Sequence, residues 1–329
     1  MFGWHGQALH INLSTETARS EPISQELLHN YLGGRGLGVR LMRDFHQLDP
    51  FDPETPLIFA TGPLCGSATP TTERLTVVSR SPLTGTVFDS SVGGKFAWNL
   101  KQAGYDALII TGQSSKPVWL KISPDNVKTE KSTTLWGATV PETIKALSGH
   151  GTVATIGPAG ENRVLYASIM MDGEESAGRG GLGAVMGSKN LKAIVVVGDK
   201  TTAIAEPERV VKAQHDIMRL FRASPFLLGE LGIAEYGTPA LVDLMNQRRM
   251  TPTDNFRRTR FDSSSKYSGP AIRNAYNAQK AGCYRCPIQC KKTTPAGEQL
   301  PEYESISHFG ALLDNHDLSS IVQALSLIH

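Results

Sequence analysis

Cysteine is scarce in this chain: four among 329 residues. That is too few for a disulfide scaffold, and a chain of this length does not need one to hold a core. The opening residues, Met1-Phe2-Gly3-Trp4-His5-Gly6, lack the basic-then-apolar pattern of a signal peptide. Long hydrophobic runs are missing as well. Ala107–Ile110 and Ala193–Val197 are strand-sized, whereas a membrane span needs about 20 apolar residues. Charge of one sign is not in excess either. The 33 basic and 31 acidic residues leave +2, which argues against a nucleic acid or a membrane surface as partner. No low-complexity tract is present. The remaining composition, 40% hydrophobic and 19% charged, excludes a disordered chain. The length suggests about two domains.

The first stretch reads as mixed α and β. Gln7–Asn12 alternates in the manner of a strand, and Ser24 stands as N-cap to a helix opening at Gln25 and ending by Gly33-Gly34. A second helical periodicity runs from Leu37 to Phe45. Strands are expected at Leu57–Ala60, Leu75–Ser79, Ala107–Thr111 and Val118–Ile122. An approximate repeat runs through this region. Leu57–Pro63 resembles Val153–Pro158, and each is followed by a Gly pair (Gly93-Gly94, Gly180-Gly181), a short helix, and a closing apolar strand with Gly (Ala107–Gly112, Ala193–Gly198). The reading is two related halves that present Gly-rich turns to a shared ligand; the plainer one is that α/β units look alike. Beyond this, Pro207–Arg222 and most of Leu227–Met250 show helical spacing, while Arg257–Gly269 reads as loop. The expected class is therefore α+β. A β-rich N-terminal domain with internal duplication occupies 1–205, and the start of a mainly helical domain occupies 206–329.

Three of the four cysteines lie within eight residues, as Cys283-Tyr-Arg-Cys286-Pro-Ile-Gln-Cys290. Three thiolates this close can reach one soft metal centre, and without a signal segment they point to the reducing cytoplasm. Radical SAM enzymes place the longer gap first; here it comes second. A [4Fe–4S] cluster is the leading reading, with zinc or incidental buried thiols as alternatives, and it requires a fourth ligand. Cys65 reads better as a small residue in a turn. Three loops combine glycine with arginine or hydroxyls: Gly33–Gly38, Thr72–Gly85 with Asp89–Gly94, and Ser176–Lys192. The last fits neither a P-loop nor a Rossmann fingerprint. Each alone can be a tight turn, but together they suit one large phosphate-bearing ligand. Arg248, Arg249, Arg257, Arg258 and Arg260 form either a salt-bridged face or an anion contact. Glu302 and Glu304 follow the thiol run, where paired carboxylates could do acid–base work.

Taken together these segments resemble the aldehyde:ferredoxin oxidoreductase family, the tungsten- or molybdenum-dependent bis-pterin enzymes. The resemblance rests on Gly33–Gly38, Thr61–Gly66, Arg74–Gly85, Gly93–Gly112, Gly157–Asn162, Ala177–Gly198, Thr251–Phe256 and Cys283–Cys290, in the family's order. It implies an N-terminal domain that holds a tungsto- or molybdo-bis-pterin and a later domain with a [4Fe–4S] cluster. It puts Arg74, Ser91, Gly93, Glu175, Ser176, Gly178 and Arg179 at the pterin phosphates and their bridging cation. It also makes Cys283, Cys286 and Cys290 three of four cluster ligands, and places Glu302 or Glu304 near the metal. Ser91 stands where the family commonly has Asn, and Cys65 where Thr is usual. The implied reaction oxidises an aldehyde to a carboxylic acid in the cytoplasm, with ferredoxin or another iron–sulfur carrier taking the electrons. The resemblance leaves a homodimer open. Family chains are roughly twice as long, and the fourth cluster cysteine would fall beyond residue 329. The expectation is thus a truncated product, whose alternative to activity is a non-catalytic fragment that keeps the N-terminal fold.

Overall fold

The computed structural model describes residues 1–67, 69–173, 175–230 and 232–328, of which 325–328 by backbone alone. His329 lies outside the described residues. The chain divides into two compact units, Met1–Pro207 and Glu208–His329.

In the first unit, one six-stranded sheet comprises β1 (Gln7–Asn12), β2 (Thr17–Pro22), β3 (Leu57–Thr61), β4 (Leu75–Arg80), β5 (Val87–Val92) and β6 (Ala107–Thr111), in the order β2-β1-β6-β3-β4-β5. The second comprises β7 (Val118–Ser123), β8 (Asn126–Lys131), β9 (Thr152–Thr155), β10 (Ile169–Met171), β11 (Glu175–Ala177) and β12 (Leu191–Val196), in the order β11-β10-β9-β12-β7-β8. Adding six to each strand number of the first sheet gives the second, read from its other edge. The pairing senses also match: β1/β6 and β7/β12 are parallel, and every other neighbouring pair is antiparallel. The duplication legible in the Gly pairs is thus a duplication of topology.

The helices follow the same logic. Those after the two Gly pairs, α3 (Phe96–Gln102) and α6 (Leu182–Ser188), bury Phe96, Leu100, Leu182, Val185 and Met186 in one core with the inner faces of both sheets. Alternation selects those faces. Leu57 and Phe59 of β3 point into the shared core, while Ile58 points the other way. That outer face of the first sheet is covered by α1 (Gln25–Tyr31) and α2 (Gly34–Met42) through Leu28, Leu37 and Met42. The outer face of the second meets α4 (Val140–Leu147). Ser24 caps α1, its hydroxyl accepting from the Leu27 N–H at 3.1 Å. Thr139 and Glu142 form a capping box on α4. The short α5 (Pro158–Glu161) completes the unit.

The second unit holds α7 (Pro207–Ala223), α8 (Ile233–Tyr236), α9 (Leu241–Gln247), α10 (Gly269–Tyr276), α11 (Tyr303–Phe309) and α12 (Leu318–Ile328). A small hairpin, β13 (Gln279–Ala281) and β14 (Lys291–Thr293), lies between α10 and α11. The helical stretch read at 227–250 is broken by Gly232 and Gly237-Thr238-Pro239 into α8, a 3-10 turn and α9. Its core is Val242, Phe261, Tyr267, Ile272, Leu300, Ile306, Ala311 and Ile321. The irregular 257–263 stretch is pinned by Asn246, whose side chain accepts from Phe261 N–H and donates to Ser264. Among the described residues, no helix is long and apolar enough to cross a membrane.

Charge is also built into the first unit's interior. The Lys101 ammonium pairs with Asp106, both side chains fully buried; Asp106 in addition accepts from the Gly6 N–H. Removing one partner of such a pair leaves an uncompensated charge. Asp106→Asn should therefore cost about 3–5 kcal/mol in a urea unfolding titration, and Lys101→Met with Asp106→Leu should cost clearly less than the sum of the single changes. Lys189 is buried as well and donates to the carbonyls of Pro53 and Gly112. Burial pulls its pKa from 10.5 down to about 8, against the opposing pull of Glu54 and Asp52. The folded state then holds fewer protons than the unfolded one between those two values. This residue's contribution therefore makes stability rise with pH across that window, and the contribution is lost as pH falls through about 8. Lys189→Met should flatten that slope in unfolding curves taken from pH 7 to 11.

Candidate functional site

The symmetry of the two sheets makes the ends of β5 and β11 equivalent. These ends lie side by side, and a hollow of about 540 Å³ opens between them. Phe88, Asp89, Ser90 and Ser91 line it from β5; Ser176, Gly178 and Arg179 line it from β11 and the loop behind; Arg35 reaches in from α2. The Arg179 N–H donates to the Ser90 hydroxyl at 3.3 Å, linking the halves. Ser91 and Thr76 share a hydroxyl contact of 3.3 Å. The Arg35 guanidinium pairs with Asp89 at 2.8 Å while most of its side chain stays exposed. Two guanidinium groups and three serine hydroxyls around one opening form a donor set suited to phosphate oxygens.

Of the pterin residues expected from sequence, Ser91, Ser176, Gly178 and Arg179 therefore meet in this hollow. Gly93 follows β5 and is buried. Glu175 packs against Gly94. Arg74 is exposed just ahead of β4, and the register Leu75–Val92 carried one step further sets it beside Gly93. Arg35 is not among the expected residues. Its signal lies in the Gly33–Gly38 segment, which has the composition of a loop, and the structure makes that segment the first turns of α2.

Behind Arg179, Gly181 caps α6 in the left-handed region at φ 70°, and a Cβ there would sit 1.8 Å from the Leu165 carbonyl oxygen. Gly181→Ala should lower stability by roughly 2–4 kcal/mol and loosen the Arg179 loop, read as earlier urea unfolding and faster proteolysis after Arg179.

The second unit carries the thiol run on the loop between β13 and β14. Cys283, Cys286 and Cys290 are all half-buried. A turn closes on Cys283, whose carbonyl accepts from Cys286 N–H at 3.0 Å. Arg285 and Gln289 reverse the chain in left-handed conformations, φ 58° and 47°. The loop's ends meet: Ala281 bridges Cys290, and a Cβ on Gly282 would lie 2.8 Å from the Gln289 Cα. Three soft donors on a loop closed this tightly are within reach of one centre. Among the described residues, no three His, Cys, Asp or Glu side chains are already gathered in a metal-holding arrangement. Lys292, behind the loop, is buried.

Glu302 and Glu304 lie on the segment that runs beside β14. Thr293 bridges Gln299, Leu300 N–H donates to the Lys292 carbonyl at 2.9 Å, and Glu302 stands at the N-cap of α11. Glu302 is half-buried and Glu304 exposed. Cys65 belongs to the first unit, fully buried, with its thiol donating to Glu73 at 3.0 Å. Burial, then Glu73, pushes that thiol up, which keeps it protonated. In the arginine cluster, Arg258 pairs with Asp314 and approaches Asp262, and Arg257 approaches Asp254.

Two family profiles match the chain. Residues 8–198 match the profile of the aldehyde ferredoxin oxidoreductase N-terminal domain, and residues 212–329 match that of domains 2 and 3. A tungsten-containing aldehyde ferredoxin oxidoreductase of Pyrococcus abyssi is 41% identical over 98% of this chain and 55% of its own. The Pyrococcus furiosus enzyme of the same name is 39% identical over the same shares. A WOR-like subunit of an aliphatic sulfonate oxidoreductase, also from Pyrococcus furiosus, is 27% identical over the whole chain. Among solved structures, the active site complex BamBC of benzoyl coenzyme A reductase, with 1,5 dienoyl-CoA, superposes with a TM-score of 0.83 at 30% identity. That match covers 98% of this chain and 52% of the other. The chain spans about half the length of the relatives it matches.

Proposed function

The chain belongs to the aldehyde ferredoxin oxidoreductase family, and from that premise we propose that its two units hold the cofactors of an aldehyde-oxidising enzyme. The reaction converts an aldehyde and water into a carboxylic acid, two electrons and two protons. One observation carries the proposal: equivalent strand ends of the two halves bring Ser91, Ser176, Gly178 and Arg179 into one hollow. Guanidinium and hydroxyl donors there fit the phosphates of a paired pterin, with Arg74, Gly93 and Glu175 on the flanking turns. When bound, a tungsto- or molybdo-bis-pterin supplies the two-electron oxidation, and a [4Fe–4S] cluster the one-electron exits to ferredoxin or another iron–sulfur carrier.

The chain's own share is to bind and orient. Arg179 and Arg35 neutralise phosphate charge, and the serine hydroxyls fix its direction. Arg35 must exchange Asp89 for that anion. Cys283, Cys286 and Cys290 supply three soft ligands. Glu302 or Glu304 accepts a proton released as water adds to the aldehyde carbon. Identity favours this reading over the reductive chemistry named for the coenzyme A enzyme, 41% against 30%. The compartment in this reading is the cytoplasm.

Protein from cells grown with tungstate or molybdate should carry one of these metals, fluorescent oxidised pterin, and iron with sulfide. Arg179→Ala should retain about tenfold less pterin and metal, the effect of losing one charged hydrogen bond to phosphate. Folded protein free of pterin and of both metals, from either culture, would sink the proposal.

A further inference from the structure

Lys292 is 5% exposed, and its ammonium is hydrogen-bonded to three backbone carbonyls. It donates to the carbonyls of Gln289 at 2.8 Å, Lys291 at 3.0 Å and Ala234 at 3.2 Å. Three acceptors use all three protons of a lysine ammonium. The first two acceptors belong to the residues immediately before and after Cys290; the third belongs to α8. Gln289 is left-handed at φ 47°, a conformation a non-glycine residue keeps only where its surroundings enforce it. The Lys292 bond to its carbonyl is such an enforcement. The other side of Cys290 is closed too, because a Cβ on Gly237 would lie 2.9 Å from the Cys290 carbonyl oxygen. The helix serving as anchor is itself fixed. Glu235 of α8 pairs with Lys280 on β13 at 3.1 Å and with Arg273 of α10. Both strands of the hairpin are thereby tied to one short helix. Cys283 and Cys286 differ, since a bond between their own backbone atoms shapes their turn.

We propose that Lys292 is a positioning residue for the metal centre, fixing the backbone on both sides of Cys290 against α8 so that this third thiolate joins the other two. The inference rests on the cluster reading above. It concerns one ligand of the three, and that sets it apart from a general role in folding.

The test uses the full 329-residue chain, metal-free and reduced, titrated anaerobically with Co(II). The intensity of the sulfur-to-cobalt charge-transfer band counts the coordinating thiolates. Wild type should show three and Cys290→Ser two. Lys292→Met should show the two-thiolate spectrum and bind cobalt about tenfold more weakly, as befits a lost set of charged hydrogen bonds. In the Cys290→Ser background, Lys292→Met should change affinity less than twofold, because its target is already gone. A three-thiolate spectrum with wild-type affinity in Lys292→Met overturns the inference. So does an equal loss of affinity in both backgrounds, which marks a role in the scaffold alone. If Lys292→Met loses its helical circular dichroism, Lys292→Arg takes its place in the same comparison. Arginine keeps the charge but not the fit to three carbonyls, and the same spectra and affinities support or overturn the inference. Wild type without any thiolate band overturns the cluster reading, and this inference with it.

Discussion

Two sheets of six strands must bury their inner faces on the same pair of helices, and most of the first unit follows from that constraint. The helices are short, seven residues each, and the space between the sheets is set by what they can fill. Phe96 and Leu100 supply bulk from α3. From α6 come Leu182, Val185 and Met186, with Gly187 where a Cβ would strike the Gly160 carbonyl. Large and small residues thus interdigitate, as close packing demands. Because both sheets share one strand order, this packing brings their corresponding edges, β5 and β11, alongside each other. The hollow between these edges is a by-product of symmetry, and the polar side chains lining it give it chemical character.

Charge sits where this arrangement leaves strand ends to tie down. Lys101 and Asp106 join α3 to the entry of β6, and Asp106 also receives the backbone at Gly6. Lys192 of β12 pairs with Glu161 and donates to the Ala138 carbonyl. Such pairs add little net stability against apolar replacements of equal volume. Their value lies in permitting few alternatives: a strand slipped by one residue would turn Lys192 out of reach of Glu161 and leave both charges unsatisfied.

Much of this is legible in the sequence. Leu57–Pro63 and Val153–Pro158 do contain corresponding strands, β3 and β9; the Gly pairs do precede α3 and α6; and the closing apolar runs are β6 and β12. The exceptions have physical causes. Gly33–Gly38 looks like a loop because glycine is a poor helix former. It is helical because α2 lies close on β4, with Gly38 facing Val78 where a Cβ would not fit. Tertiary packing there overrides propensity. Arg35 has no legible place for the same reason, since its partner Asp89 is 54 residues away and meets it only through that packing. In the second unit the cysteine spacing is visible at once. The hold of Lys292 on Cys290 is not, since a lysine in a Lys-Lys pair looks like surface until its burial is seen.

The duplication also divides the unit into parts with unequal freedom to diverge. The outer faces are covered differently. One sheet is covered by α1 and α2, whose apolar cluster with β3 and β4 includes, among the described residues, none from the other half. The other carries α4, over a smaller cluster. The inner faces and the β5 and β11 ends are shared, so a change in either half is met directly by the opposite one. Two halves of one topology therefore keep separate exteriors around a common interior.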